Sequence, residues 1–148
     1  GATLALLQGV LFLLLAPFAG VHLTVTAVVA GIKVMVLVSF GLTSVALIIA
    51  WRMQSIQGFH AIMNLILIPI WFLSGAFFPP TGLPSWLSWL MRLNPLTYGM
   101  AALRSSLYLG NLPAAGTLPP MASWLVITAV FAAGTFAFAA STARRNLE

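Results

Sequence analysis

Arg104 is the side chain of this sequence best equipped for polar work, and it has almost no company. The 148 residues include six Lys and Arg, one acidic residue, two histidines and no cysteine. The acid is Glu148, the last residue. Paired carboxylates for acid–base catalysis, a carboxylate metal site and an acidic proton relay are therefore missing from the sequence. His22 and His60 have no acidic neighbour and are too few to hold a metal, so packing or a helix-end hydrogen bond is the plain reading of His60. Without cysteine there is no disulfide frame and no thiol nucleophile. Lys33 is followed by Val34, so no phosphate loop of the GK[ST] type exists. No catalytic, cofactor or metal site is expected in this chain. Any uphill work must draw on another polypeptide.

The elements that position these few residues are apolar. Hydrophobic residues make up 61% of the chain and charged residues 5%, against about 45–50% and about 25% in ordinary soluble domains. Mean hydropathy is +1.10. Seven charged side chains cannot clothe a soluble domain of this size, so lipid must solvate most of the surface. The net charge of +5 is spread as single cations, which is no nucleic-acid footprint. The uncharged stretches between them predict four membrane spans of about 20 residues each. They fall at about 4–21, 32–51, 59–78 and 121–143, with Thr24 an alternative start for the second. Pro17 predicts a kink in the first. Trp51-Arg52 and Arg144-Arg145 suit helix ends at an interface.

The stretch from Pro79 to Pro120 is too polar to span but is patterned. Trp86, Leu90 and Leu93 recur at helical spacing behind Pro84, with Ser85, Ser88 and Arg92 opposite. Asn94-Pro95 stops this helix and starts the next, Asn as cap and Pro at the first helical position. There Leu96, Met100, Leu103 and Leu107 share one face, and Thr97, Ala101, Arg104 and Tyr108 another; Gly110-Asn111 closes it. The expected fold class is thus all-α: a polytopic helical membrane protein with about four spans and two short re-entrant or interfacial helices, about 84–109, between the last two. An even span count puts both termini on one side. Arg52, Arg144 and Arg145 then face one compartment and Lys33, Arg92 and Arg104 the other, three against three, so charge does not orient the chain.

From Arg52 to Arg104 the residues become specific. Arg52-Met53-Gln54-Ser55-Ile56-Gln57-Gly58-Phe59 is followed by Asn64, Pro69 and Phe72-Leu73-Ser74-Gly75-Ala76-Phe77-Phe78-Pro79. Then come Leu83-Pro84-Ser85-Trp86-Leu87, Leu93-Asn94-Pro95-Leu96-Thr97-Tyr98 and Ala102-Leu103-Arg104. This ordered pattern resembles ABC type-2 exporter permeases, most of all the branch with daunorubicin-type drug exporters and nodulation-oligosaccharide exporters. The resemblance implies a membrane-spanning subunit of an ATP-driven exporter, dimeric with itself or a second permease. It also implies a partner ABC ATPase that binds the ATP, and a multi-pass location in the cell (inner) membrane. Six spans with cytoplasmic termini and external re-entrant helices are implied too, which orients the chain with its C-terminus inside. By that standard the chain, a single permease domain over 1–148, is expected to be a C-terminal part lacking the first two spans. An amphipathic or lipid-linked substrate is expected by analogy. A non-transporting membrane scaffold is the alternative; a membrane enzyme is disfavoured by the missing chemistry.

The signature residues to weigh are Arg52, Gln57, Asn64, Pro69, Ser74, Gly75, Pro79, Asn94, Pro95, Tyr98 and Arg104. Pro69 is read first as a packed kink and second as a hinge. Ser74-Gly75 is read as a helix stop before a bend or close approach. Asn94-Pro95 is a structural break. Arg104 is expected first to snorkel to headgroups, the alternative being a gating or internal hydrogen bond. Ala129, Ala133, Ala137 and Ser141 form a small-residue stripe at spacing four, suited to packing within the chain or between subunits.

Overall fold

The computed structural model describes residues 1–77, 83–107 and 121–145. It is all-helical: α1 (Ala2–Leu15), α2 (Val25–Ala50), α3 (Ile56–Phe72), α4 (Ser85–Leu93), α5 (Pro95–Leu107) and α6 (Met121–Arg145), with a 3-10 turn at Ala16–Ala19. No strand occurs among the described residues. Two helices, Val25–Ala50 and Ser123–Arg144, are long and apolar enough to cross a membrane, and shorter apolar helices lie at Ala2–Phe18 and Ile56–Phe72. Large apolar side chains such as Leu4, Leu7, Phe12 and Leu65 are exposed on their outer faces, as a lipid-solvated surface requires.

Local signals set the helix ends. Thr24 accepts a hydrogen bond on its hydroxyl from the Ala27 N–H at 3.2 Å, so α2 starts at Val25, at the alternative start, and Lys33 stands in its third turn. Pro17 does not kink a continuous helix. The chain tightens there into the 3-10 turn, and Gly20, at φ +80°, closes it by donating to the Pro17 carbonyl at 3.0 Å. Ser55 caps α3 through the Gly58 N–H at 3.3 Å. At its other end α3 stops at Phe72, short of the Phe78 expected.

Helix directions follow from which residues meet. Phe40 stacks near Phe136 with ring centroids 4.9 Å apart, Gly41 backs onto Phe131 and Ala132, and Lys33 shares a groove with Leu125 and Ala129. Numbers rise together, so α2 and α6 run parallel. Gly1 lies against Thr43 and Gly9 against Met35, so α1 runs opposite to α2. So does α5, whose Leu103 meets Gly31 while Gly99 meets Val38. The closest seam is at Gly99, where even a Cβ would come 2.5 Å from the Val38 Cγ2. Val34, Ala102 and Trp124 are buried at the centre, with Val38, Tyr98, Ala101, Leu103 and Leu125 packed around them. The core is therefore an α2–α5–α6 triad. A 13-residue helix, α5, is inserted beside two membrane-length ones.

Candidate functional site

The break in α3 creates the chemical problem that the site solves. Near the end of α3, Pro69 has no N–H to give to the preceding turn. The Leu73 N–H still reaches the Pro69 carbonyl at 2.9 Å, but the Ser74 N–H shifts to that of Trp71 at 3.1 Å, tightening the last turn. The Ser74 hydroxyl donates to the same Trp71 carbonyl at 2.6 Å, and Gly75, at φ +81°, turns the chain away. A helix that ends this way leaves carbonyl groups unpaired. In a membrane each unpaired one costs several kcal/mol.

Side chains from the α4–α5 junction and from α5 satisfy them. The Asn94 Nδ2 donates to the Ile70 carbonyl at 2.6 Å, the Thr97 hydroxyl to that of Leu73 at 3.1 Å, and the Arg104 Nη2 to that of Gly75 at 3.0 Å. These positions fall on one stripe of a helix, and Ala101 between them keeps the approach open. Asn94 is doubly engaged, because its Oδ1 also accepts from the Leu96 N–H at 3.0 Å. Pro95 has no N–H, so Leu96 offers the first donor of α5 and the cap goes there. One amide thus starts α5 and finishes α3. Arg104, expected first to snorkel, is half-buried and spends one guanidinium donor inside the protein.

Above this clamp lies a cleft of about 360 Å³. Ser74 and Gly75 form one side, Ser88, Met91 and Arg92 of α4 another, and Thr97, Tyr98, Met100, Ala101 and Arg104 of α5 the floor, with Trp124 of α6 at the back. The Tyr98 hydroxyl donates to the Arg92 carbonyl at 2.6 Å, pinning the end of α4 to α5, and its ring sits 5.8 Å from that of Trp124. The walls are mostly apolar. Arg92 is exposed and Arg104 half-buried, and among the described residues there is no carboxylate to neutralise either.

Several signature residues converge here. Pro69, Ser74, Gly75, Asn94, Pro95, Tyr98 and Arg104 build the clamp or line the cleft. Arg52, in the turn after α2, and Gln57 and Asn64 of α3 are exposed and do not line it. Pro79, Tyr108 and Gly110-Asn111 lie outside the described residues. The small-residue stripe does not form the seam within this chain: Ala133, Ala137 and Ser141 are exposed, while Trp124, Thr128, Ala132 and Ala139 face inward. Only Ala129 lines a groove against α2. Ser88 is legible only as part of the polar stripe opposite Trp86, and Met91 and Trp124 carry no sign of a cleft, because each is placed there by a neighbouring helix.

Against known protein families, the model for the ABC-2 type transporter matches residues 1–108, a stretch that runs from α1 through α5. Comparisons with curated proteins and with solved structures found no match.

Proposed function

The chain belongs to the ABC-2 type transporter family, and from that premise we propose that it builds the membrane path of an ATP-driven exporter, powered by a separate ATPase subunit. The family supplies the membrane permease component of ABC transporters, and its permeases normally pair with an ABC ATPase. What most supports a working permease is the α3–α5 clamp. Helix α3 ends against side-chain donors of another helix, so the joint can part and re-form without breaking a continuous helix. Parting would offer the carbonyls to an incoming polar group or to water, a route for alternating access that needs no covalent chemistry.

The finer reading is of a drug- or oligosaccharide-type exporter acting as a homo- or heterodimer in the inner membrane, its C-terminus cytoplasmic and its cargo amphipathic or lipid-linked. The permease domain extends over 1–148 with the clamp on the external side. Cell-wide single-cysteine labelling can start from this sequence without removing a native cysteine. The decisive experiment is reconstitution of the complete permease with its partner ATPase in proteoliposomes. ATP-dependent flux is expected only when both subunits are present. An ATPase that binds the permease and hydrolyses ATP without moving any amphiphile across the bilayer would overturn the exporter reading.

A further inference from the structure

We infer that the cleft over the α3–α5 clamp is a binding site for an amphiphile with an oxyanion headgroup, a phosphate or sulfate on an apolar tail, and that it rejects cationic amphiphiles. The argument begins with the donors. The hydroxyls of Ser74, Thr97 and Tyr98 already donate to the carbonyls of Trp71, Leu73 and Arg92. Arg104 gives one N–H to Gly75 and keeps the rest of a five-donor fork, and Arg92 stands exposed at the rim. Apart from the Ser88 hydroxyl on the α4 wall, the polar capacity left for a ligand is therefore cationic.

The charge balance points the same way. The Gly75 carbonyl holds Arg104 in place, but a dipole carries no net charge. Among the described residues no Asp or Glu exists to neutralise either guanidinium. Apolar walls from Met91, Met100, Ala101 and Trp124 lower the local polarity, which strengthens attraction for an anion and repulsion of a cation alike. Planar guanidinium groups match the oxygens of phosphate and sulfate in a way an ammonium does not. A cleft of about 360 Å³ lies at the lower end of the range of ligand pockets. It has room for a headgroup and the first part of a chain, with the remaining tail left to lipid.

The occupant could be a bilayer phospholipid or the transported cargo; the headgroup chemistry is the same. Only the cargo assignment rests on the permease reading, and binding can be measured without it. The test is photolabelling of the complete permease–ATPase complex, in a nonionic detergent, by decyl phosphate carrying a diazirine on its chain. Labelling within 85–107 is expected to be saturable and competed by decyl phosphate or decyl sulfate, and not by decyltrimethylammonium. Because Arg92 is exposed, Arg92→Gln leaves the fold intact, and it should weaken labelling about tenfold, the loss of one charge-assisted contact, with Arg92→Lys in between. Competition by the cation equal to that by the anion overturns the inference, as does unchanged labelling in Arg92→Gln.

Two further arms identify the source. Suppression by added phosphatidylglycerol, indifferent to ATP, assigns the site to a resident lipid. Loss of label on ATP turnover, with flux of the phosphate probe in proteoliposomes, assigns it to cargo. Failure of flux with labelling intact would cost the exporter reading alone.

Discussion

Helix α5 is held on its two sides by different physics. Against α2 and α6 it is packed: Ala102 has no exposed surface, Gly99 lets the backbone approach Val38, and Leu103 rests on Gly31. Against α3 it is tied by three side-chain hydrogen bonds to carbonyls at a helix end. Close packing has no halfway state, because dispersion is lost over a fraction of an ångström. A donor–carbonyl bond can be exchanged for water or a ligand at little net cost when water reaches it. The packed side is therefore suited to a permanent frame and the tied side to movement. The same short helix serves both, and the cleft it floors has Ser74 and Gly75 from the tied side and Trp124 from the packed side.

Substitutions that attack each side should separate them. The largest effect is expected at Gly99. A Val there brings its Cβ to 2.5 Å from the Val38 Cγ2, while the Thr128 methyl on the other side is already in van der Waals contact at 3.9 Å. Overpacking in a rigid seam costs about 1–3 kcal/mol or more, and here backbone shifts must spread through α2 and α5 together. Gly99→Val should abolish folded, membrane-inserted protein, scored as monodisperse permease in detergent. Recovery by Val38→Ala in the same chain would confirm that the seam is the cause. A well-folded single variant would break the notion of a permanent side.

Next is Asn94→Leu. It keeps the γ-branched shape with somewhat more bulk and removes both the bond to the Ile70 carbonyl and the cap on Leu96. Two buried bonds at about 1 kcal/mol each, plus the groups left unpaired, predict roughly 2–4 kcal/mol. Thermal unfolding of the purified permease should show it. Arg104 should show less in stability and more in flux. Arg104→Leu removes the tie to Gly75 and one cleft charge, for about 1.5–3 kcal/mol. Arg104→Lys can still reach the carbonyl but has lost the planar fork. It should assemble normally and transport poorly; wild-type flux per inserted molecule would remove Arg104 from the moving side.

Residue spacing revealed the donors of the tied side better than the packed one, whose buried α5 residues are Gly99, Ala102 and Ser106, with only Leu103 of the expected leucine face packed on the core. The leucine face of α5, the Asn94-Pro95 break and the grouping of Thr97, Ala101 and Arg104 are all visible as side-chain periodicity. Their partners are not. What Asn94, Thr97 and Arg104 bind are main-chain carbonyls, which every residue carries and no letter marks. Ser74-Gly75 reads as a helix stop and Pro69 as a kink, and for Arg104 the pattern allows both headgroup snorkelling and the internal hydrogen bond that is found, since nothing in it says that α5 comes alongside α3. The expected span runs on to Phe78 for a related reason, since Ala76, Phe77 and Phe78 are apolar enough to extend it, and apolarity says nothing about φ at Gly75. The stripe at Ala129, Ala133, Ala137 and Ser141 is the opposite case. Small residues mark a helix face that can be approached, and nothing in them names the partner.

The smallest expected effect is also the cleanest probe of the tied side. Thr97→Val exchanges a hydroxyl for a methyl on the same branched frame, so helix propensity, rotamer and volume hardly change. What is lost is one bond, 3.1 Å long, to the Leu73 carbonyl. A neutral hydrogen bond is worth about 0.5–1.5 kcal/mol, which would lower the melting temperature by a few degrees at most. Because the carbonyl stays behind without its donor, the loss should grow when the site is dry and shrink when water reaches it. The measurement is thus a comparison of wild type and Thr97→Val in two trapped states of the transporter. In the resting state the variant should be less stable by about 1 kcal/mol. In the state held by non-hydrolysed ATP on the partner ATPase, the difference should vanish, because α3 and α5 have parted and the bond is already broken. An equal penalty in both states would mean that the clamp never opens, and that α5 is fixed on both sides.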